Sequence, residues 1–205
     1  NHRLVFAQQK ERPYKLKPTS PFPAFALVAD MRDPSFAKDM NSILRSAALF
    51  ATFSFGLQLK ETTYNDCEMV SYYFSETKKV EGDPERARFN FSPSYVTVGN
   101  HFVMSATAEL ARDLVDVLKA EQAQKPSKAS MRTQLFASGL AEIIRSNEDA
   151  TLTQMILAQA LPPKAAKEEL RALLNFVEQL GSLRIESNYG TNEFRYDVLW
   201  QAKKK

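Results

Sequence analysis

The chain has 205 residues, and the six Gly, two His and one Cys among them limit the chemistry it can carry. A single Cys excludes an intrachain disulfide and a cysteine-rich zinc site. So few Gly leave little material for glycine-rich phosphate loops. The formal net charge of +3 is near neutral for this length, and dedicated nucleic-acid binders concentrate basic charge, so we expect no nucleic-acid partner.

No stretch has the roughly 20 apolar residues that a membrane-spanning helix requires, so we predict no membrane span in this chain. Basic residues cluster at 10–17 and 203–205, close to the chain ends, and are interpreted as solvated ends. The sequence begins with Asn1 rather than Met, which indicates a processed product or an expressed fragment.

Four prolines, at positions 13, 18, 21 and 23, fall within the first 23 residues. Each proline ring fixes its own φ and biases the preceding residue away from helix. We therefore predict that residues 1–23 form an extended, proline-punctuated arm that lies over the rest of the protein.

Residues 24–120 are predicted to form a first αβ half, which begins with a buried strand at 24–30. Asp33 and Pro34 are predicted to start a helix, because Asp caps free N–H groups and Pro is accepted at the first helical position. Gly56 is predicted to end this helix. Helical spacing predicts a buried stripe of Phe36, Met40, Ile43, Leu44 and Ala47.

Two β-hairpins and a second helix are predicted next. Asn65 and Asp66 tolerate the positive φ of a two-residue turn, which places Leu59 opposite Tyr72. The hairpin at 94–105 is apolar on both faces, so we predict that it is central in the sheet and covered on both sides. A helix capped by Thr107 then buries Leu110, Leu114, Val117 and Leu118.

Residues 121–130 contain no large apolar residue and are predicted to link the first half to a second αβ half at 131–205. The second half is predicted to contain a strand at 131–138, helices at 140–146 and 148–160, and a long amphipathic helix. The predicted buried positions of this last helix are Ala166, Leu170, Leu173, Leu174, Val177 and Leu180, with Gly181 at its end.

A final hairpin has a register that charge can predict. A turn at 190–191 places Glu186 opposite Arg195 and Arg184 opposite Asp197, whereas a turn at 189–190 creates two like-charge pairs. In the first register one face, predicted to line the core, carries Phe194, Tyr196, Val198 and Trp200.

The two halves contain similar segments, Glu61–Tyr64 and Glu186–Tyr189, each followed by a Glu at the same distance, Glu68 and Glu193. We interpret the halves as related βαββ-type units. The predicted fold is α+β, with one antiparallel sheet of about seven to eight strands, built from hairpins and shared by both halves, and with helices packed on one face.

The sequence offers few groups for catalysis. His2 and His101 are the only histidines, so a Ser-His-Asp arrangement or a two-histidine metal site is hard to assemble, and His101 is interpreted as structural. Cys67 lies between Asp66 and Glu68, whose charges disfavour a reactive thiolate. We predict no catalytic, cofactor-binding or metal-binding residues and no cofactor.

Other polar motifs each have a structural alternative. The segment 147–149 lacks the ligand spacing of a calcium loop, 82–85 has one Gly and is interpreted as a turn, and Asn90 begins a short glycosylation pattern. Four carboxylates could form the acid and base of a hydrolase or could be charges on a sheet surface; they are Glu61, Asp66, Glu68 and Glu186.

Aromatic residues crowd the middle strands. We interpret them as core, with a surface for a protein partner or for self-association as the alternative. They are Tyr72, Tyr73, Phe74, Phe89, Phe91, Tyr95 and Phe102.

The stretch Phe89–Asp116 contains a strand, a Gly turn, a strand and the helix start Ser-Ala-Thr-Ala-Glu-Leu. This combination resembles a group of uncharacterised, often exported bacterial proteins, and the stretch from Ala137 to Asp197 is similar to the same proteins. The resemblance implies a mixed α and β protein outside the cytoplasm, in the periplasm or cell envelope, and implies no catalytic motif.

We therefore expect a non-enzymatic binding or scaffolding domain of an exported bacterial protein. Two alternatives remain open at the level of sequence: a hydrolase that uses carboxylates assembled by the fold, and an oligomerisation module that uses the aromatic middle strands.

Overall fold

The structure is a computed structural model that describes residues 2–9, 11–122, 131–189 and 194–203. The chain forms two compact units, Asn1–Lys125 (unit 1) and Pro126–Lys205 (unit 2), and each is described by itself. The division falls within the predicted linker 121–130, whose first two residues belong to a helix. The other linker residues, 123–130, lie outside the described residues.

Unit 1 combines an antiparallel sheet with two α-helices. Its elements are β1 (His2–Ala7), β2 (Ala24–Asp30), α1 (Ser35–Phe55), β3 (Leu57–Tyr64), β4 (Cys67–Phe74), a short 3₁₀ helix (Ala87–Asn90), β5 (Ser94–Val98), β6 (His101–Ser105) and α2 (Ala108–Gln122). Unit 2 consists of β7 (Met131–Phe136), α3 (Ala137–Ser146), α4 (Glu148–Gln159), α5 (Pro163–Gln179), β8 (Ser182–Tyr189) and β9 (Phe194–Gln201). The predicted α+β class is confirmed.

The strands form two antiparallel sheets, with the orders β1-β2-β6-β5-β4-β3 and β7-β8-β9. The sequence predicted a single shared sheet. The difference arises because β7 pairs with β8 in its own unit, whereas β2 pairs with β1 and β6. The order strand, helix, hairpin occurs in both units, but the strand pairing differs.

Helices cover both faces of the six-stranded sheet, where one covered face was expected. One face packs on α2 through Val96, Val103 and other buried side chains. The opposite face packs on α1 through Tyr95 and Phe102. The prediction that the β5–β6 hairpin is central and covered on both sides is therefore confirmed, and an apolar strand pair of this kind requires two layers of helix.

Helix α1 is rotated relative to its predicted orientation. Met40 and Leu44 pack on the sheet as expected, together with Ala37 and Ala48. Ile43, predicted to be buried, is exposed to solvent instead. Ala47 is exposed as well, and Phe36 contacts Phe102 while remaining partly exposed.

Helix α2 follows its predicted pattern at most positions. The Thr107 hydroxyl accepts a hydrogen bond from the Leu110 N–H at 3.2 Å, which confirms the predicted cap. Leu110, Leu114 and Leu118 are buried, but Val117 is exposed because Val115 takes its place against the sheet.

The register of the β3–β4 hairpin agrees with its prediction. Leu59 pairs with Tyr72, and Asn65 and Asp66 form the turn with positive φ angles.

Gly56 ends α1 with a φ of +67°, and a side chain there would collide with Lys78.

The register of the β8–β9 hairpin differs from its prediction. Glu186 pairs with Asp197 rather than Arg195, and Ile185 pairs with Val198. The expected turn at 190–191 lies outside the described residues. A shift of two residues keeps every side chain on its face, so the apolar pattern cannot distinguish the two registers. Arg195 contacts Asp197 at 2.9 Å on the same strand, which reduces the cost of the like-charge pair.

The core of unit 2 is formed by its helices. Ala166, Leu170, Leu174 and Val177 are buried as predicted, whereas Leu173 is exposed. The described core cluster contains no side chain of the three-stranded sheet. The predicted core-lining face is therefore solvent-exposed, at Phe194, Tyr196, Val198 and Trp200.

The N-terminal arm is held by buried polar side chains. It begins with the edge strand β1, which contains His2 and pairs with β2. Asn90, 1% exposed, accepts the Phe22 N–H at 2.9 Å and donates to the Ser20 carbonyl at 3.0 Å. The Tyr14 hydroxyl donates to the Phe91 carbonyl at 2.7 Å. Side-chain hydrogen bonds thus replace strand pairing along the proline-rich segment.

We expect Asn90→Ala to destabilise unit 1 by about 2–4 kcal/mol, because the Phe22 N–H and the Ser20 carbonyl lose their hydrogen bonds to this buried amide. Urea unfolding measures the change, and limited proteolysis should cleave the variant's arm faster. Gln58→Ala, which removes an amide from an exposed site on β3, is the control and should change stability by less than about 0.5 kcal/mol. Equal effects of the two substitutions would contradict the anchoring role of Asn90.

Candidate functional site

A groove of about 550 Å³ lies between α1 and the adjacent face of the six-stranded sheet. We call it the α1 groove. Helix α1 contributes Lys38, Asn41 and Arg45 to its wall, and the sheet contributes Glu61 and Glu68. Its floor is apolar and consists of Val70, Tyr95 and Phe102.

Asn41 connects the helix to the floor of the groove. The Tyr95 hydroxyl donates to Asn41 Oδ1 at 2.5 Å, and Arg45 Nε donates to the same oxygen at 2.8 Å. Arg45 also forms an ion pair with Glu61 of β3, and the hydrogen bond that Arg45 donates to Glu61 raises the pKa of Arg45. The polar side of α1 is thereby fixed against the sheet.

Two tyrosines lie side by side under this network. The Tyr95 ring is stacked with the Phe102 ring, with 6.0 Å between the ring centroids. The Tyr72 ring is tilted relative to Tyr95, with 6.4 Å between the centroids. Burial, and then the neighbouring Tyr95 hydroxyl, raise the pKa of Tyr72 to about 12. The Tyr72 hydroxyl is buried without a hydrogen-bond partner of normal geometry among the described residues.

The four carboxylates considered in the sequence lie in different places. Glu61 and Glu68 line the α1 groove, and both are exposed. Asp66 lies at the β3–β4 turn, 3.6 Å from Lys119, and Glu186 belongs to unit 2. Only one pair of the four therefore shares a groove.

The remaining candidates have structural surroundings. His101 Nδ1 lies 2.8 Å from Asp30 Oδ1, across the β2–β6 strand pair. Cys67 is buried in the core beneath α2. Asp83 binds Arg88 at 2.5 Å, which holds the predicted turn together. Buried Asn90 is not accessible for glycosylation.

The aromatic residues of the middle strands belong mainly to the core. Tyr72, Phe89, Tyr95 and Phe102 are buried, in agreement with the interpretation as core. The most exposed aromatic side chains are Phe50 and Phe53 on the outer side of α1, at 78% and 81%, and others lie on β1, α5, β7 and β9.

A smaller cavity of about 150 Å³ lies between the arm and the start of α2. Arg12 lines it, and burial lowers the pKa of Arg12 although Glu109 opposes this effect. Its Nε and one Nη are buried without a hydrogen-bond partner among the described residues, so Arg12 is not part of a solvated end as expected. Glu11 of the arm and Glu109 and Arg112 of α2 also line this cavity.

Comparison with protein-family models, with curated proteins and with solved structures finds no match to this chain. Across the described ranges, no group of three or more His, Cys, Asp or Glu residues is placed to hold a metal ion. In the same part of the chain, no helix has the length and apolar character needed to cross a membrane.

The sequence singled out Glu61 and Tyr95 but neither Asn41 nor Arg45. The available signal was their spacing, since two polar residues four positions apart share one side of a helix that is otherwise largely apolar.

We expect Tyr95→Phe to destabilise unit 1 by about 1 kcal/mol, because the hydrogen bond to Asn41 is lost. Tyr72→Phe removes a buried hydroxyl that lacks such a bond, so stability at pH 7 should stay unchanged or rise. Chemical denaturation compares the two variants. A larger loss in Tyr72→Phe than in Tyr95→Phe would contradict this description of the network.

We expect unit 1 to lose stability as the pH rises from about 10 to about 12. Burial raises the pKa of Tyr14 and of Tyr72 to about 12, against about 10 for an unfolded chain. In this window the unfolded state releases protons that the folded state retains, so alkali favours unfolding. Urea midpoints across the window measure the effect. Tyr72→Phe should reduce it, and Tyr196→Phe at an exposed site should not.

Proposed function

We propose that the chain is a non-enzymatic binding module whose ligand site is the α1 groove. One observation carries the proposal: Asn41 and Arg45 face the sheet, while Ile43 and Phe50 of the same helix face solvent. A surface helix ordinarily buries its apolar side and exposes its polar side. Here Asn41 and Arg45, beside the packed side chains Met40 and Leu44, line a groove above an apolar floor, which is the composition of a ligand site.

The size of the groove supports a small ligand. A volume of about 550 Å³ lies within the range of roughly 300–1,000 Å³ typical of ligand pockets. Arg45 and Asn41 are hydrogen-bonded to Glu61 and Tyr95, so the groove walls are held in position before a ligand binds. A preorganised wall reduces the entropy cost of binding.

The charges of the groove indicate the chemistry of the ligand. Lys38 and Glu68 are exposed at the groove and have no ion-pair partner among the described residues. A ligand with one carboxylate and one ammonium group would complement both, and an apolar side chain would fit the floor at Val70. We infer that the ligand is a short zwitterionic peptide.

Binding is a better proposal than hydrolysis because of the surroundings of the two groove carboxylates. A general acid at neutral pH needs a carboxyl group whose pKa is raised, usually by burial. Glu61 and Glu68 are both exposed, and Glu61 is paired with Arg45.

The proposed location is outside the cytoplasm, in a bacterial cell envelope. Its support is the resemblance of Phe89–Asp116 and of the stretch from Ala137 to Asp197 to exported bacterial proteins. A role as a scaffold there would use exposed surfaces other than the groove. Fractionation of cells that express the native gene tests the location.

We expect the tripeptide Gly-Phe-Gly with free termini to perturb backbone amide NMR signals at the α1 groove. Lys38→Glu should weaken binding about fivefold, since an exposed charge pair contributes roughly 1 kcal/mol. Thr97→Trp should abolish binding by filling the groove.

Lys79→Glu makes the same charge change at an exposed lysine outside the groove and is the matched control. A tripeptide with acetylated and amidated termini tests the zwitterion requirement. Perturbations that are absent at millimolar peptide, or that persist unchanged in both groove variants, would refute the proposal.

A further inference from the structure

The three-stranded sheet of unit 2 has a face that is apolar and uncovered. We call it the aromatic face. It consists of Thr133 and Leu135 of β7, Leu183 and Ile185 of β8, and Phe194, Tyr196, Val198 and Trp200 of β9. The four β9 residues are between 49% and 65% exposed.

An apolar sheet face is stable when another layer covers it. The described core of unit 2 contains only helix side chains, so the helices of this unit bury one another and leave the aromatic face open. Trp200 is tied by its ring N–H to the Leu180 carbonyl at 2.6 Å, which holds the largest side chain of this face in place. The face is thus preorganised for a partner.

We propose that the aromatic face binds the same face of a second copy of this chain, which forms a two-fold symmetric dimer. Cyclic dimers are the commonest soluble oligomers, and in them one patch contacts itself. Such a contact pairs the patch with an identical patch, in which residue i contacts residue j and residue j contacts residue i, so charges of one sign on the patch would repel one another.

The distribution of charge favours this occupant. Every side chain of the aromatic face is uncharged, while Arg184, Glu186, Arg195 and Asp197 all lie on the opposite face of the sheet. The exposed apolar side of α1 has a charged neighbour, because the Lys78 ammonium donates a hydrogen bond to the carbonyl of Phe53. Self-contact is therefore favourable at the aromatic face.

The area also fits a reversible dimer. Large aromatic side chains each bring roughly 150–250 Å², so the exposed parts of Leu135, Phe194, Tyr196, Val198 and Trp200 amount to about 500 Å² per copy. Two copies bury about 1,000 Å² from these residues, and the partly buried β8 side chains add to it. The total approaches the roughly 1,200 Å² at which specific interfaces begin, so we expect weak, reversible association.

Trp200 provides a direct probe because it is the only tryptophan of the chain. Sedimentation equilibrium of the full chain, from about 1 to 500 μM, should show conversion from a species of 23.2 kDa to one of twice that mass. Over the same range the Trp200 emission maximum should move to shorter wavelength, as the indole leaves water.

Val198→Glu places a charge at the centre of the face and should weaken dimerisation at least tenfold. Leu199→Glu makes the same change at the next residue, which is exposed on the opposite face, and should leave dimerisation unchanged. Circular dichroism verifies the fold of each variant. If Val198→Glu does not fold, Tyr196→Ser at another exposed site replaces it.

Three results would overturn the proposal. The first is a chain that remains monomeric at about 500 μM, since the proposed interface would then be absent. The second is equal dissociation by Val198→Glu and Leu199→Glu. The third is a dimer that Phe50→Glu dissociates and Val198→Glu does not, which would place the contact on α1.

Discussion

The hydrogen bond between the Tyr95 hydroxyl and Asn41 joins α1 to the covered face of the six-stranded sheet. Leaving a buried hydroxyl unpaired costs about 1–3 kcal/mol, which is comparable to the 1.5–3 kcal/mol gained by burying Ile43. The small side chains Ala37 and Ala48 lie on the same side as Asn41 and allow a close approach of helix to sheet. The rotation that satisfies Tyr95 therefore also places polar groups in the groove and apolar groups in solvent.

Sequence could not predict this rotation because α1 is apolar on more than one side. Met40 and Leu44 fit two alternative stripes, one with Ile43 and one with Ala48. The choice depends on Tyr95, which is 54 positions away in the chain. Glu61 was recognisable as a candidate from its residue type. Its partner Arg45 was not, because the rotation of α1 decides whether Arg45 faces the sheet.

The hairpins illustrate which features are local. The two-residue turn at 65–66 fixes the β3–β4 register completely, so those pairs were predictable. At β8–β9 the period of two predicted which side chains share a face, but it carries no information on a shift by two residues. Nor does periodicity state what covers a face, since that depends on the packing of other elements. The aromatic face was therefore recognised as apolar but not as exposed.

Cys67 is the only thiol of the chain and lies in the core of unit 1, paired with Tyr64 across the β3–β4 turn. A buried thiol reacts with an alkylating reagent only when the structure around it opens. The rate of alkylation therefore reports the opening equilibrium of unit 1 in the native sequence, without an added label. Because unit 2 has no cysteine, its own opening does not contribute to the measured alkylation rate.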